Sequence, residues 1–498
     1  MKHIVSRLNK VLLPAMAALT LPAQTLTTLF SFGANGGADT YAGLIQATDG
    51  NFYGAMTEGG ASTCAPATGC GTIFKITPSG TLSTLHYFCS EPNCADGQDP
   101  YATPLQATDG NFYGTTAFGG ANTNGEYCPD SLGAVGCGTV FRITSSGTLT
   151  TLYSFCAQSA CKDGAVPIGG LIQATNGDFY GTTSMGGSRG GGTVFKITPG
   201  GTLTTLHSFC LISPACTDGT APTGGLVQAT DGSFYGTTSG AVSAGTVFKI
   251  TPAGKLTTLY SFSSADGVNP QAGLIQAADG NFYGTTFNGG AGCCYGTVFK
   301  ITPSGALTTL HSFCSSGYPC TDGENPWGAL IEGTDGNLYG TTTIGGHCAS
   351  YPYDLCGTVF RITPSGTLTT LYNFCSLSAC ADGEQPWAGL VEATNGDLYG
   401  TTQLGGTGTG TVFSLSVGLG PFVKTLPHAA KVGATISILG TDLTGATSVT
   451  FHGTPAKFTV VSASEITATV PAGATTGKIQ VITPGGMLFS GGPFLVLP

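Results

Sequence analysis

The chain has little charge. Lysine and arginine number 16, aspartate and glutamate 26, in 498 residues, for a net charge of −10. No basic run interleaves with aromatics, so no nucleic-acid partner is expected. The acidic balance also argues against an anionic membrane surface as a target. After the N-terminal segment no run is long and apolar enough for a membrane helix, so no transmembrane segment is expected once that segment is cleaved. The cysteines show no C-x2-C spacing and no accompanying histidine pair, which argues against zinc. Tryptophan occurs only twice. The 80 glycines sit among many β-branched and aromatic residues. With so little charge, that mixture indicates ordered all-β structure rather than disorder.

Residues 1–23 have the make-up of a secretory leader. Lys2, Arg7 and Lys10 precede a mostly apolar stretch at 11–21, then Pro22 and Ala23. Cleavage before Gln24 is expected, although Leu21 stands where a small residue is usual. An uncleaved anchor is the alternative, but the apolar run is short for a bilayer. Export agrees with the 18 cysteines. They form close couples: Cys64 with Cys70, Cys89 with Cys94, Cys128 with Cys137, Cys156 with Cys161, Cys210 with Cys216, Cys314 with Cys320, Cys348 with Cys356, and Cys375 with Cys380. Each couple falls inside one expected loop and reads as a disulfide formed in an oxidising compartment. Closing so short a loop is worth roughly 2 kcal/mol. Cys293 and Cys294 are adjacent and are left unassigned.

Residues 225–262 contain four short runs rich in Val, Ile, Thr, Phe and Tyr, separated by Asp-Gly, Ser-Gly and Pro-Ala-Gly turns. They read as one four-stranded antiparallel unit. An Asp/Asn-Gly turn followed by an aromatic or leucine strand recurs seven times, from Asp49 to Asn395. A GTVFKI-like strand also recurs seven times, from Gly71 to Gly410. The TLTTLYSF strand follows six of these, whereas its seventh copy, at 25–32, precedes everything else. If 25–32 pairs with 411–416, the units close into a ring with no exposed end. The expected fold is all-β: a seven-bladed β-propeller closed by an N-terminal strand over 24–416. A linear β-solenoid is the rival. Within 138–144, Phe141 and Ile143 face one way, and Val140 and the stem of Arg142 the other. Leu149 and Leu152 are expected on opposite faces. Such a sheet is apolar on both sides, as a blade between two neighbours must be.

The recurring DGNFYGTT and GTVFKITPSGTLTTLYSF blocks resemble the Gloeo-Verruco (GloVer) tandem repeat of bacterial surface and secreted proteins, the choice-of-anchor group. The resemblance covers roughly residues 25–416. It implies export and cell-surface association, and brings no established activity. After a Gly/Pro linker at 417–421, short alternating strands between Gly, Pro and Asp turns suit a small immunoglobulin-like β-sandwich at 422–498. Gly433, 436–443, 449–453, 470–473 and Gly477 make it similar to the IPT/TIG domain. That resemblance implies a spacer or protein-binding module.

In a propeller the short hairpins, nearly identical in all seven units, lie on one face. The second-to-third loops and the unit-to-unit loops lie on the other, with the length variation and every cysteine couple. Insertions gathered on one face mark a binding face. The unit-to-unit loops carry a regular acid: Asp96, Asp163, Asp218, Asp266, Asp322 and Asp382, with Gly36 in the first unit. These carboxylates either order a turn or ring the channel mouth as calcium ligands. Five residues on stand Tyr41, Tyr101, Ile168, Thr223, Gln271, Trp327 and Trp387. The four aromatics belong to units six, seven, one and two, which are consecutive in a closed ring. Glu324, Glu384, Glu332 and Glu392 come from the same sector, and the other five units have Gln where Glu332 and Glu392 stand. An aromatic platform beside carboxylates and amides suits a sugar; simple packing between blades is the alternative.

Few residues speak for catalysis. His86, His207 and His311 align with Tyr153, Tyr260 and Tyr372 and read as interchangeable outer-strand residues. GGSRG at 186–190 matches G-x-S-x-G by letters only, without its strand-turn-helix setting. Glu332 and Glu392 are a conceivable glycosidase pair. The expectation is a monomeric, secreted or cell-surface binding protein without a cofactor, whose propeller face recognises a glycan or a protein. A carbohydrate-active hydrolase or lyase and a purely structural surface protein are the alternatives.

Overall fold

The computed structural model describes residues 24–33, 39–60, 69–122, 128, 136–210, 216–240, 244–291, 295–348 and 356–498. The leader, Gly36, Cys64, Cys293 and Cys294 lie outside the described residues. The architecture is all-β, with three short 3-10 turns as the only helical elements among the described residues.

Residues 25–416 form seven four-stranded antiparallel sheets. The second unit serves for all, with strands Leu105–Gln106, Phe112–Thr116, Thr139–Ile143 and Leu149–Ser154. Its first turn is built by Asp109, whose carboxylate accepts the Asn111 backbone N–H at 3.0 Å and the Tyr113 hydroxyl at 2.8 Å. Its second hairpin is closed by the Thr144 hydroxyl, which accepts the Thr148 N–H at 3.1 Å. Gly114 costs strand propensity but has a packing reason. It pairs with Phe141, and a Cβ there would lie 2.5 Å from that ring. The outer strand slips register between Thr151 and Tyr153, so Leu152 is a β-bulge. Leu149 and Leu152 lie on opposite faces, as expected: Leu149 packs into the core shared with the first unit and Leu152 into the core shared with the third.

The apolar cores lie between sheets. Tyr180, Val194 and Phe209 of the third unit pack with Leu226, Phe234 and Phe248 of the fourth. The same arrangement joins the seventh sheet to the first unit, where Phe32, Tyr399 and Val412 pack with Phe52 and Phe74. Strand Thr25–Ser31 lies antiparallel to Thr411–Ser416, with Thr27 opposite Ser414. The Phe52 and Tyr399 rings stack at 4.1 Å, as Phe112 and Tyr53 do at 4.0 Å between the first two units.

The C-terminal strands form two further four-stranded sheets and a parallel pair, Ala429–Lys431 with Leu495–Leu497. One sheet holds Thr435–Leu439 and Glu465–Thr469, the other Ser448–Phe451 and Ile479–Thr483. Ile436, Ile438, Val449, Phe451, Ile466 and Val481 fill the space between them.

Candidate functional site

Tyr41, Tyr101, Ile168, Thr223, Gln271, Trp327 and Trp387 come together around one cavity of about 340 Å3. A local backbone device delivers them. Two residues earlier, Asp39, Asp99, Val166, Ala221, Asn269, Asn325 and Gln385 all have φ between 51 and 57°. L-residues seldom adopt that conformation, so it persists only where the surroundings hold it. Main-chain bonds do so: the Gln385 N–H donates to Cys356 O at 2.9 Å, and its carbonyl accepts from Gln403 N at 3.0 Å. Six of the seven are followed by proline, which stiffens the step into the cavity. This left-handed position was missed by sequence reasoning; the x-Pro pair at a constant offset from the hairpin was its signal.

The four aromatics touch one another. Tyr41 lies 5.4 Å from both Tyr101 and Trp387, and Trp387 lies 5.0 Å from Trp327. Phe287 backs the group at 5.1 Å from Trp327. Opposite them, the Thr223 hydroxyl donates to Gln271 Oε1 at 2.9 Å. Among the described residues, none that is charged lines this cavity. The Trp387 indole nitrogen is buried without a hydrogen-bond partner among the described residues. Behind the rings the units approach backbone to backbone: a Cβ on Gly328 would sit 2.5 Å from Gly389 N. At the tyrosine end Asp39, Glu58 and Asp99 lie close enough to raise the Tyr101 hydroxyl pKa, after burial, the larger cause. Burial, and then the charge of Glu58, push Asp99 itself up to about 7.

Glu324 and Glu384 precede the tryptophans on the same loops, and neither lines the cavity. Their N–H groups bridge to Ile344 O and Leu404 O at 2.9 Å. Glu332 and Glu392 stand five residues beyond the tryptophans, in the two-residue inner strands Ile331–Glu332 and Val391–Glu392. They line a different cavity, of about 470 Å3, with Phe422, Lys424 and His428, which meets the first at Leu44, Ile331 and Leu390. They share a sector with the rings but not a surface. Their partners explain the Gln/Glu position. Gln106 accepts from Thr48 N at 2.9 Å, Gln173 from Thr108 N at 2.9 Å, and Gln46 from Thr394 N at 2.9 Å. Glu332 accepts from Ala278 N at 2.9 Å, and Glu392 from Thr334 N at 3.1 Å. Each ties its own unit to the preceding one. Burial raises the pKa of both carboxyls. The Lys424 ammonium donates to Glu392 O, and burial lowers its pKa to about 8.

The regular aspartates are engaged within their own loops. Asp163 accepts from Ala157 N at 2.9 Å, Gln158 N at 3.1 Å and the Tyr153 hydroxyl at 2.9 Å. Asp382 does the same with Tyr372, and Asp266 bonds Tyr260. Asp96, Asp218 and Asp322 meet His86, His207 and His311 at 2.8–3.0 Å. Histidine and tyrosine alternate in the outer strand because either reaches this carboxylate. Seven disulfides join the expected couples from Cys89–Cys94 to Cys375–Cys380. Cys70 is also disulfide-bonded.

The Gloeobacter/Verrucomicrobia repeat family matches residues 15–131, 66–293 and 239–457, and the IPT/TIG domain matches 425–496. No curated protein matches the chain. Among solved structures, a fungal alcohol oxidase of the AA5 family in complex with copper is similar at 12% identity. It has a TM-score of 0.47, over 95% of this chain and 99% of the oxidase. A luciferin-regenerating enzyme is similar at 12% identity and a TM-score of 0.36, over 64% of this chain and 92% of its own. With the repeat matched along most of its length, the chain belongs to the Gloeobacter/Verrucomicrobia repeat family and carries a C-terminal IPT/TIG domain.

Proposed function

We propose that the chain is a secreted or cell-surface binding protein whose repeat region is a seven-bladed β-propeller, closed by its N-terminal strand, that recognises a neutral glycan. In this reading residues 1–23 are the leader, 24–416 the propeller and 417–421 a linker. Residues 422–498 are the immunoglobulin-like module, a spacer or adhesion element. Ring closure is supported by the first-to-last contacts, which repeat those of sequential neighbours: strand pairing, stacked rings and the Gln46–Thr394 bond.

The carrying observation is the cluster of Tyr41, Tyr101, Trp327 and Trp387 around a cavity with no charged lining residue among the described residues. Aromatic faces stack on the C–H face of a pyranose, whose hydroxyls bond to amides and hydroxyls such as Gln271 and Thr223. An uncharged lining selects an uncharged ligand, since a buried charge without a partner is costly. The hydrolase reading is weakened because Glu332 and Glu392 take the place and the bonds of glutamine. A glycan array containing neutral and acidic sugars tests the proposal, followed by fluorescence titration of the hits. Both tryptophans of the chain line this cavity, so their emission reports on it alone. Binding of neutral glycans, lost at least tenfold in Trp327→Ala/Trp387→Ala, is expected. Unchanged affinity in that variant, or binding of acidic glycans only, overturns it, and sugar release favours the enzyme.

A further inference from the structure

Two disulfides of the second unit lie side by side. Cys128–Cys137 belongs to the second-to-third loop and Cys156–Cys161 to the loop after the outer strand. All four sulfurs are within 4.8 Å of one another, and Cys128 Sγ and Cys156 Sγ, which are not bonded, are 3.7 Å apart. Four thiolates about 2.3 Å from a tetrahedral metal ion are about 3.8 Å from each other. Cys137 and Cys161 are buried among Ala117, Ala165 and Val166, and Cys128 and Cys156 are half-buried. Such a shell keeps water from metal–sulfur bonds.

The grouping is not random along the chain. The C-x4-C couples Cys89/Cys94, Cys156/Cys161 and Cys375/Cys380 each form a 3-10 turn with a left-handed residue inside it. Those three units are also the ones whose neighbouring loop has a couple of its own: Cys64/Cys70, Cys128/Cys137 and Cys348/Cys356. The C-x5-C couples Cys210/Cys216 and Cys314/Cys320 form no such turn among the described residues.

We propose that Cys128, Cys137, Cys156 and Cys161 form a redox-gated metal site. Oxidised, they are two disulfides and bind nothing. Reduced, they hold one tetrahedral, thiophilic divalent cation of the zinc type. Two equivalents of a dithiol reductant supply four electrons and four protons, giving four thiols and two equivalents of oxidised dithiol. Binding of the cation then releases four protons and forms four metal–sulfur bonds. Oxidised, each disulfide closes its own loop; reduced and loaded, the shared cation ties the two loops together.

The test uses the full chain, reduced anaerobically, freed of reductant and titrated with Co2+. Ligand-field bands of tetrahedral cobalt and a sulfur charge-transfer band are expected, with sheet circular dichroism retained. Cys128→Ser/Cys156→Ser is expected to bind one equivalent fewer, and Cys210→Ser/Cys216→Ser as much as wild type. Independently of any variant, wild-type chain made in a reducing cytoplasm is expected to carry at least one equivalent of zinc by mass spectrometry. Absence of tetrahedral bands, unchanged stoichiometry in the first variant, loss of sheet structure on reduction, or zinc-free cytoplasmic protein overturns the proposal.

Discussion

The repeats and the C-terminal sandwich are both built of short antiparallel strands, yet they bury their apolar residues in opposite ways. Each repeat shares its core with the next: Phe209 of one unit closes over Phe248 of another. The sandwich closes over itself, with Ile438, Phe451 and Val481 in one cluster. The cysteines follow the same division, and none occurs after Cys380. A unit that cannot cover its own sheet depends on its neighbours, and its long loops need staples; the sandwich needs neither.

The largest effect expected from this contrast is on the pairing of the first repeat strand with the last. Deleting residues 24–32 exposes the edge of Thr411–Ser416 and uncovers Phe74. Calorimetry should then show the repeat transition lost, with the sandwich transition within about 2 °C of wild type. Both transitions disappearing together would break the comparison. Next come the cores. Phe74→Ala and Phe451→Ala each remove a fully buried ring. Each should cost about 3–5 kcal/mol in its own transition and little in the other.

A smaller change sharpens the picture of the loops. Asp163→Ala strands the Tyr153 hydroxyl and two backbone N–H groups. The cost should be about 1–3 kcal/mol. Hydrogen exchange should rise at 156–164 and stay unchanged in the sandwich.

The junction between the two regions should respond to alkali. The folded pKa of Lys424 is about 8, against an ordinary 10.5, so the folded chain binds fewer protons than the unfolded chain in that interval. Stability therefore rises with pH from about 8 to about 10, and Lys424→Met should abolish the rise. An effect of the opposite sign is expected at Asp99, whose folded pKa of about 7 exceeds its ordinary 3.8. Its contribution is complete in acid and falls away as pH climbs from about 4 to about 7. Asp99→Asn should match wild type near pH 4 and melt about 2 °C higher at pH 8.

The strand order of the repeats was legible because Asp-Gly turns and β-branched runs act locally, and seven copies repeat the message. The spare TLTTLFS strand was legible by counting. The bulge at Leu152 was not, since one unpaired residue leaves the spacing of apolar letters intact. At the candidate site the aromatic positions stood out by alignment of the units. The separation of Glu332 from Trp327 did not, because a shared sector says nothing of depth along a strand. Histidine and tyrosine looked merely exchangeable until Asp96 and Asp163 supplied their common partner.

Strand Thr25–Ser31 leaves the ribosome first, yet its partner Thr411–Ser416 emerges only after all the other repeats. Every chain shortened by premature termination therefore keeps two raw edges, one at each end, open to proteases and to one another. Such a chain also lacks the strand that Thr25–Ser31 pairs with here, so its first strand stays without a partner.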